Sequence, residues 1–468
     1  MSSQVALEDG TIQQLKSAVG GEVITPDHPA YDEARMVWNG MIDCRPALIV
    51  RCRSTDDVVA AVNFAREHDL IVAVRGGSHS TPGYSTCDDG IVIDLGPMNE
   101  VKVDPEARTA RVGGGANWGQ MDAATQEHGL AVTGGRVSDT GVGGLATGSG
   151  SGWLERMYGV TADSLISAEV VTADGSVVRT SKDENPELFW GLRGGGGNFG
   201  AVTEFEFRLH PVGPIVMGGM LVYPRERARE VLGFYRDFME KAPPEVGGGA
   251  ALITAPPEEF VPEAIRGQPA MGIVFLYVGP VEDGEKAVQQ LREGTNPMVD
   301  MVAPMPYAAL QQMLDGGNPR GVREYFKVDW VRELPDEALD EIVKQAEKLP
   351  APFGQLILAP QGGAMNRTNG DDMALNPPNA PWAYFCLSMW MDPAEDEQNR
   401  EWARGFAKAM KAYEVGTPYP NFIAADETAA RLRSSYGPEK YDRLLALKRQ
   451  WDPDNLFRLN QNIDPAAQ

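Results

Sequence analysis

Two glycine-rich stretches decide the fold: RGGSHS at residues 75–80 and TGGRVSDTGVGGLATGSGSGW at residues 133–153. The first follows the β-branched run LIVAV at 70–74, which predicts a buried strand, so its glycines lie where a strand ends and turns. The second holds eight glycines. Glycine in regular structure costs about 0.5–1 kcal/mol relative to alanine, so such a run needs a compensating reason. Close approach of backbone amides to a flat, phosphate-bearing cofactor supplies one.

Other interpretations exist for each stretch taken alone. The first also fits a tight turn with a surface histidine, and the second a flexible linker, although Val142, Leu145 and Trp153 make it apolar for a linker. A Rossmann site fits poorly, because G-x-G-x-x-G should follow a strand, open a helix and precede an acidic residue about twenty positions later. A Walker A loop is excluded because G-K-[ST] follows none of these glycines. The cofactor we infer is FAD.

A third glycine cluster, WGLRGGGGNFGAV at 190–202, runs into a predicted strand with alternating polarity at 202–209. With it, the sequence resembles the FAD-binding domain of the vanillyl-alcohol oxidase and p-cresol methylhydroxylase (PCMH) superfamily, in its berberine-bridge-enzyme-like branch. The motifs that carry the resemblance are R-G-G-x-H, the G-V-G-G-L ladder, V-x-A-D-G, the L-F-W to F-G cluster and a closing D-P-x-N-x-F-x-x-x-Q-x-I. They stand here at 75–79, 141–154, 171–175, 187–200 and 451–463, and the resemblance spans about residues 46–463.

The resemblance implies an α+β, two-domain fold: a PCMH-type FAD-binding domain and an α/β substrate domain whose antiparallel sheet is covered by helices. The glycine clusters end after residue 213, so we predict an FAD-binding domain at 1–213, a substrate domain at 214–415 and a segment at 416–468 that returns to the first domain. The first domain opens with a β-α-β unit around a helix at 55–66. In the second domain, strands predicted at 216–223, 250–255, 271–278, 354–359 and 382–390 alternate with helices at 225–241, 282–293, 336–348 and 395–413.

Composition limits the partners. At 468 residues the chain is long enough for two cores. Its 66 acidic against 42 basic residues give a net charge of −24, which argues against nucleic acid and anionic membranes as partners. The four cysteines lack metal-ligand spacing, so we expect no metal site and free thiols. No leader or long apolar run is present, which favours a cytoplasmic protein acting on a small-molecule substrate; the oligomeric state stays open.

The resemblance also assigns the cofactor site. His79 stands where the family's histidine bonds covalently to the C8 methyl group of the flavin, a link that should strengthen the flavin as an oxidant. Val137 stands where doubly linked members carry a cysteine, so we expect one covalent bond. The predicted cofactor-binding residues are Arg75, Gly76, Gly77, Ser78, His79, Ser80, Gly83, Val137, Ser138, Thr140, Gly141, Gly143, Gly144, Gly148, Gly150, Trp153, Gly200, Val202, Asn421, Asn460 and Asn462.

Hydride transfer from an alcohol carbon also requires a base. Tyr419 is the first candidate, because it matches the tyrosine of the family's Y-x-N motif, which is the base in sugar-oxidising members. A free phenol titrates near about 10, so a neighbouring cation such as Lys327 would have to lower the pKa of Tyr419. Tyr325, beside Lys327, is a further candidate. For each tyrosine the alternative is a packed side chain with one satisfied hydroxyl.

The expected function is that of an FAD-dependent oxidase. It would transfer a hydride from an alcohol or amine-bearing carbon of a small organic substrate to the flavin and pass the electrons to dioxygen, giving hydrogen peroxide. The stretch LAPQGG at 358–363 lacks the aspartate that oligosaccharide-oxidising relatives place there, which weakens a carbohydrate substrate. Thr140 stands where relatives that react readily with oxygen often have valine. A dehydrogenase with another acceptor therefore stays open, as does a flavin-binding protein without turnover.

Overall fold

The computed structural model describes residues 7–255, 261, 263–350, 352–367, 371–375 and 378–467. The helices are α1 Asp9–Ala18, α2 Tyr31–Ala34, α3 Thr55–Glu67, α4 Trp118–Gln126, α5 Val142–Thr147, α6 Glu155–Tyr158, α7 Pro186–Leu192, α8 Ala228–Met239, α9 Val281–Thr295, α10 Tyr307–Gln311, α11 Asp336–Ala346, α12 Asp396–Met410, α13 Ala429–Tyr436 and α14 Pro438–Trp451. The strands are β1 Glu22–Ile24, β2 Leu48–Arg51, β3 Val72–Arg75, β4 Ile91–Asp94, β5 Val101–Asp104, β6 Thr109–Gly113, β7 Leu130–Ala131, β8 Leu165–Val171, β9 Val177–Ser181, β10 Ala201–Arg208, β11 His210–Pro211, β12 Ile215–Pro224, β13 Val246–Thr254, β14 Pro269–Tyr277, β15 Val299–Asp300, β16 Ala303–Pro306, β17 Arg323–Val331, β18 Gln355–Pro360 and β19 Trp382–Trp390.

The first half of the chain builds two larger sheets. One has the order β1-β2-β4-β3, in which β2 and β3 each pair in parallel with β4. The predicted β-α-β unit is therefore β2-α3-β3, with β4 inserted between its two strands. Helix α3 begins at the N-cap Ser54, whose hydroxyl accepts from the amide of Asp57, and its apolar face packs on this sheet. The other sheet has the order β5-β6-β10-β8-β9 and is antiparallel throughout.

The second half forms an antiparallel sheet of eight strands within the described residues, in the order β15-β12-β14-β13-β18-β19-β17, with β16 also on β12. Helices α8, α9, α11 and α12 cover one face, and the core between helices and sheet includes Leu221, Tyr235, Phe275 and Phe406. This arrangement confirms the predicted helix-covered antiparallel sheet. The opposite face of the sheet turns toward the glycine loops of the first half.

The closing segment packs against the first half of the chain. The hydroxyl of Tyr436, in α13, donates to the carbonyl of Gly194 at 3.0 Å. The ammonium of Lys448, in α14, is fully buried and donates to the carbonyl of Asn198 at 2.9 Å and to the carboxylate of Asp452 at 2.7 Å. These bonds fix the third glycine cluster to the C-terminal segment.

Three further findings concern the cysteines, membrane spans and metal ligands. The four cysteines are free thiols, and three of them are buried. Within the described residues, no helix has the length and apolar character that a membrane span needs. The same residues also contain no group of three or more His, Cys, Asp or Glu side chains that converge as metal ligands.

Candidate active site

A cavity of about 1320 Å³ lies between the glycine loops of the first half and the open face of the eight-stranded sheet. Pockets for drug-sized ligands usually measure about 300–1,000 Å³, so this cavity has room for a dinucleotide and a substrate together. One wall is backbone-rich, and the other is built from apolar side chains. The apolar wall contains Met220, Val222, Val274, Met305, Phe326, Ile357, Phe385 and Leu387.

Close backbone contact explains the glycines of the first wall. A Cβ atom on Gly77 would overlap the backbone of Gly141, and a Cβ on Gly141 would overlap that of Gly77, so the two predicted glycine stretches touch each other. At Gly144, on α5, a Cβ would meet no atom within 4 Å and would project into open space. The wall is thus a cradle that side chains would fill.

The wall also carries polar atoms that the protein leaves unpaired. The hydroxyl of Ser85 and the amide oxygen of Asn460 are buried and have no hydrogen-bond partner within the described residues. Buried polar atoms of this kind are normally satisfied, so each calls for a bound partner. Together with the open cradle at Gly144, these atoms fit a ligand with polar edges such as FAD.

His79 lies on the cavity wall at the end of the first glycine turn. Its ring stacks on Trp38 with 3.8 Å between ring centroids, and its Nε2 lies 2.7 Å from Oδ1 of Asp139. Burial lowers the pKa of His79, against the opposing effect of Asp139. The imidazole is therefore neutral at pH 7, which is the nucleophilic form.

Two charged side chains complete the surroundings of His79. Arg320, from the second half of the chain, donates to the hydroxyl of Ser78 at 2.8 Å and to Oδ2 of Asp139 at 3.2 Å. Burial alone would raise the pKa of Asp139, but the hydrogen bonds and charges of His79 and Arg320 outweigh it and keep that pKa below its usual value. The Asp139 carboxylate is therefore ionised.

Most of the predicted cofactor-binding residues lie on the cavity wall. Those that do are Gly76, Gly77, Ser78, His79, Ser80, Val137, Thr140, Gly141, Gly143, Gly144, Gly148, Trp153, Gly200, Val202, Asn421 and Asn460. Those outside the lining are Arg75, Gly83, Ser138, Gly150 and Asn462.

Two of the predicted residues outside the lining, Arg75 and Ser138, make structural contacts instead. The Arg75 guanidinium donates to the backbone carbonyls of Ser85 and Ala34 and so ties β3 to its neighbouring loops. The amide and hydroxyl of Ser138 both donate to the carboxylate of Asp315, at 2.9 and 2.6 Å. These two side chains hold the loops that bear the cavity wall.

Of the predicted catalytic residues, Tyr419 lies at the cavity but does not have the expected lowered pKa. Tyr419 lies on the cavity wall and is buried. Burial and the Glu155 charge raise its pKa, against the opposing effects of Ser149, Arg136 and the backbone at Gly150. Tyr419 thus keeps its proton, contrary to the expectation of a lowered pKa. Asn421, two residues on, also lines the cavity and packs so closely on Gly148 that a Cβ there would overlap its amide.

Tyr325 and Lys327 lie on the wrong face of β17 for catalysis. Alternation along the strand directs Glu324 and Phe326 into the cavity and places Tyr325 among the residues that pack under the helices. The ammonium of Lys327 pairs with the carboxylate of Glu427, and it therefore cannot act as the neighbour of Tyr419 that the sequence suggested. We correct both assignments to structural roles.

Besides Asp139 and Arg320, the sequence did not predict the roles of Trp38, Glu324 and Arg136 in this site. Trp38 stacks on His79 and donates its indole N–H to Oε2 of Glu324 at 3.0 Å. Burial raises the pKa of Glu324 to about 8, so this carboxyl is mostly protonated at pH 7. Arg136 lines the cavity and is held by Glu155 at 2.9 Å. The glycine stretches give no signal for Trp38 and Glu324, because the hydrogen bond between them joins residues 286 positions apart.

Comparison with known proteins identifies the family of the chain. Residues 46–181 match the family model described as FAD binding domain, and residues 418–464 match the model described as berberine and berberine like. The (R)-6-hydroxynicotine oxidase of Paenarthrobacter nicotinovorans is 30% identical over 459 residues, which cover 96% of this chain and 97% of that protein. The chain belongs to the berberine-bridge-like FAD-linked oxidoreductases.

Other members of the family extend the likeness. An FAD-linked oxidoreductase of Dictyostelium discoideum is 31% identical over 92% of this chain and 91% of its own length. The crystal structure of 6-hydroxy-D-nicotine oxidase from Arthrobacter nicotinovorans superposes with a TM-score of 0.85 at 28% identity, covering 99% of this chain and all of that one. Berberine bridge enzyme from Eschscholzia californica, at 22% identity and a TM-score of 0.85 over 98% of this chain and 99% of its own, shares the fold. The predicted family and two-domain fold are confirmed, and this chain is an FAD-dependent enzyme.

Proposed function

We propose that this FAD enzyme is an oxidase of an apolar amine or alcohol, with the flavin bonded covalently to His79. The supporting observation is the cavity itself, with His79 on its backbone-rich wall and an apolar strand face opposite. FAD, when bound there, supplies the hydride acceptor and hands the electrons to dioxygen, which yields hydrogen peroxide.

The apolar wall favours an apolar substrate over a sugar. Strand β18 directs Gln355, Ile357 and Ala359 into the cavity, so this strand contributes no carboxylate there. Strand β19 adds Phe385 and Leu387. Such a surface gains free energy by burying rings and alkyl groups, at roughly 25 cal/mol per Å², and offers few partners for several hydroxyl groups.

The titratable residues of the wall favour an amine over an alcohol. A neutral amine can release hydride from its α-carbon without a separate base, because the nitrogen lone pair stabilises the positive charge that develops. An alcohol must also lose its hydroxyl proton. Tyr419 and Glu324 both hold their protons near pH 7 and can donate hydrogen bonds, but neither is poised as a base. This agrees with the activity named for the nicotine oxidase relatives.

Arg136 is positioned to shape the substrate end of the cavity. Its guanidinium donates to the hydroxyl of Ser151 at 2.9 Å and lies 5.1 Å from the Trp153 ring and 5.5 Å from the Phe385 ring. The pair with Glu155 neutralises its charge. The Arg136 side chain therefore contributes a fixed, nearly neutral edge rather than a site for an anionic substrate.

A substrate panel tests the proposed function. The purified enzyme is mixed anaerobically with apolar cyclic amines, aromatic alcohols and oligosaccharides, and bleaching of the flavin absorbance is followed; air is then admitted, and peroxide is measured. We expect amines to bleach the flavin fastest and reoxidation to yield one peroxide per turnover. Slow reoxidation with rapid turnover on an artificial acceptor would identify a dehydrogenase, and bleaching by oligosaccharides alone would refute the apolar substrate.

A further inference from the structure

The surroundings of His79 distinguish its two ring nitrogens. Nε2 lies 2.7 Å from the Asp139 carboxylate, which is ionised and can only accept a hydrogen bond. Nε2 must therefore carry the ring proton. Nδ1 then holds the free lone pair, and it takes no hydrogen bond from any residue that the structure describes.

The substrate domain holds Asp139 in this position. Asp315 accepts two hydrogen bonds from Ser138, the residue next to Asp139. Arg320 bridges Oδ2 of Asp139 to the backbone carbonyl of Gly77, both at 3.2 Å, and its guanidinium lies 5.6 Å from the Trp38 ring. Orientation of the His79 ring thus depends on a carboxylate fixed from two sides.

We propose that Asp139 selects Nδ1 of His79 as the atom that bonds to the flavin and stabilises the positive charge that the ring carries while the bond forms. The inference rests on the covalent link of the proposed function and goes beyond it, since it names the residue that orients the His79 ring and balances its charge. Asp139 is a positioning residue in this scheme. Arg320 supports it by keeping the carboxylate ionised.

The atoms and electrons of the attachment balance with dioxygen as the oxidant. A bond forms between Nδ1 and the C8 methyl carbon of the flavin, and one C–H bond of that methyl group breaks. The electron pair of the broken C–H bond passes to the flavin ring, and dioxygen then removes it. The methyl proton and the Nε2 proton of His79 both leave with dioxygen as hydrogen peroxide.

The charge argument sets the size of the effect. Attack by Nδ1 turns the neutral imidazole into a cation until the Nε2 proton leaves, and an adjacent carboxylate stabilises that cation. Hydrogen bonds to charged groups contribute more than neutral ones. An Asp139→Asn variant keeps an oxygen that can accept from Nε2 but loses the charge, so attachment should slow by roughly 10- to 100-fold.

Attachment kinetics on the full chain test the inference. Apoprotein from a riboflavin-starved host is mixed with FAD in air, and the flavin that stays with acid-precipitated polypeptide is measured over time. Asp315→Asn is the matched control, because it loosens the same loop and leaves the partner of His79 in place. We expect slow attachment only in Asp139→Asn, with FAD still retained by this variant on gel filtration at neutral pH.

Two further readouts separate an electrostatic from a merely structural role. Asp139 raises the pKa of His79 through a hydrogen bond and its charge, whereas the more weakly acting Asp315 raises it through its charge alone and Arg320 lowers it. The acidic limb of the attachment rate should therefore move to lower pH in Asp139→Asn and move less in Asp315→Asn. Nuclear magnetic resonance of the flavin peptide from wild-type protein should show the bond at Nδ1. Attachment at Nε2, equal slowing in both variants, or a wild type that binds FAD but never attaches it would overturn the inference. Failure of the wild type to bind FAD at all would instead refute the proposed function.

Discussion

Replacing Gly144 by valine should weaken FAD binding while leaving the stability of the apoprotein nearly unchanged. Gly144 lies within α5 on the cavity wall, and a Cβ there meets no protein atom within 4 Å. Glycine is about 0.8–1.0 kcal/mol less favourable than alanine inside a helix, and valine up to about 0.7 kcal/mol less favourable. Gly144→Val should therefore change the free energy of unfolding of the apoprotein by no more than about 0.5 kcal/mol.

The same valine should cost much more in cofactor affinity. Its side chain fills space that the flavin requires, and forcing extra carbon atoms into a packed contact costs about 1–3 kcal/mol. At about 1.4 kcal/mol per factor of ten, FAD should bind about 5- to 150-fold more weakly.

The assay has two arms. Urea unfolding of the apoproteins gives the stability, and quenching of FAD fluorescence on titration gives the affinity. Gly405→Val, at an exposed glycine of α12 with equally open space around its Cβ, controls for the residue change and should bind FAD as the wild type does. Wild-type affinity in Gly144→Val would refute the placement of FAD on the α5 surface.

Three other predictions follow from buried charges and the cavity wall. Lys448→Met leaves the buried carboxylate of Asp452 unpaired, so the free energy of unfolding in urea should fall by about 3–5 kcal/mol; a loss below 1 kcal/mol would contradict this role. Because the folded protein holds the proton of Glu324 up to about pH 8 while the unfolded chain releases it near about 4.3, wild-type stability should decline as pH rises between these values. Glu324→Gln should remove that decline and gain up to about 5 kcal/mol over wild type at pH 9, and parallel stability profiles would disprove the buried neutral carboxyl. Thr140→Val places on the cavity wall the residue that relatives reacting readily with oxygen often have at this position. Reoxidation of reduced flavin in air should therefore become faster while anaerobic reduction is unchanged. Stopped-flow absorbance measures both rates, and an unchanged reoxidation rate would count against control of oxygen access at this position.

Local sequence signals predicted the backbone-rich wall well. The turn at Gly76–Gly77 follows a β-branched strand, and a run of glycines indicates close approach of the backbone to another group. Both features can therefore be predicted without knowing the tertiary structure. The family motifs then supplied the fold and the cofactor. The order of β2, β4 and β3 was not predictable in the same way, because parallel pairing joins strands that are distant in sequence.

Side-chain direction explains the errors at the catalytic positions. Strand β17 was not predicted, because Lys327 and Asp329 interrupt its apolar pattern, and each finds its ionic partner in the C-terminal segment. Without the register of β17, nothing in the sequence tells that Glu324 faces the cavity and Tyr325 does not. The contact of Asp139 with His79 was not predicted for a related reason, since the two residues lie 60 positions apart in the sequence.

Acid precipitation of the purified holoprotein, alongside a His79→Ala variant, tests most directly whether the glycine cradle and His79 hold FAD. The wild-type pellet should retain the flavin absorbance, and the variant should bind FAD at neutral pH but release it into the acid supernatant. A colourless wild-type protein that does not bind added FAD, or wild-type flavin released wholly by acid, would contradict the account.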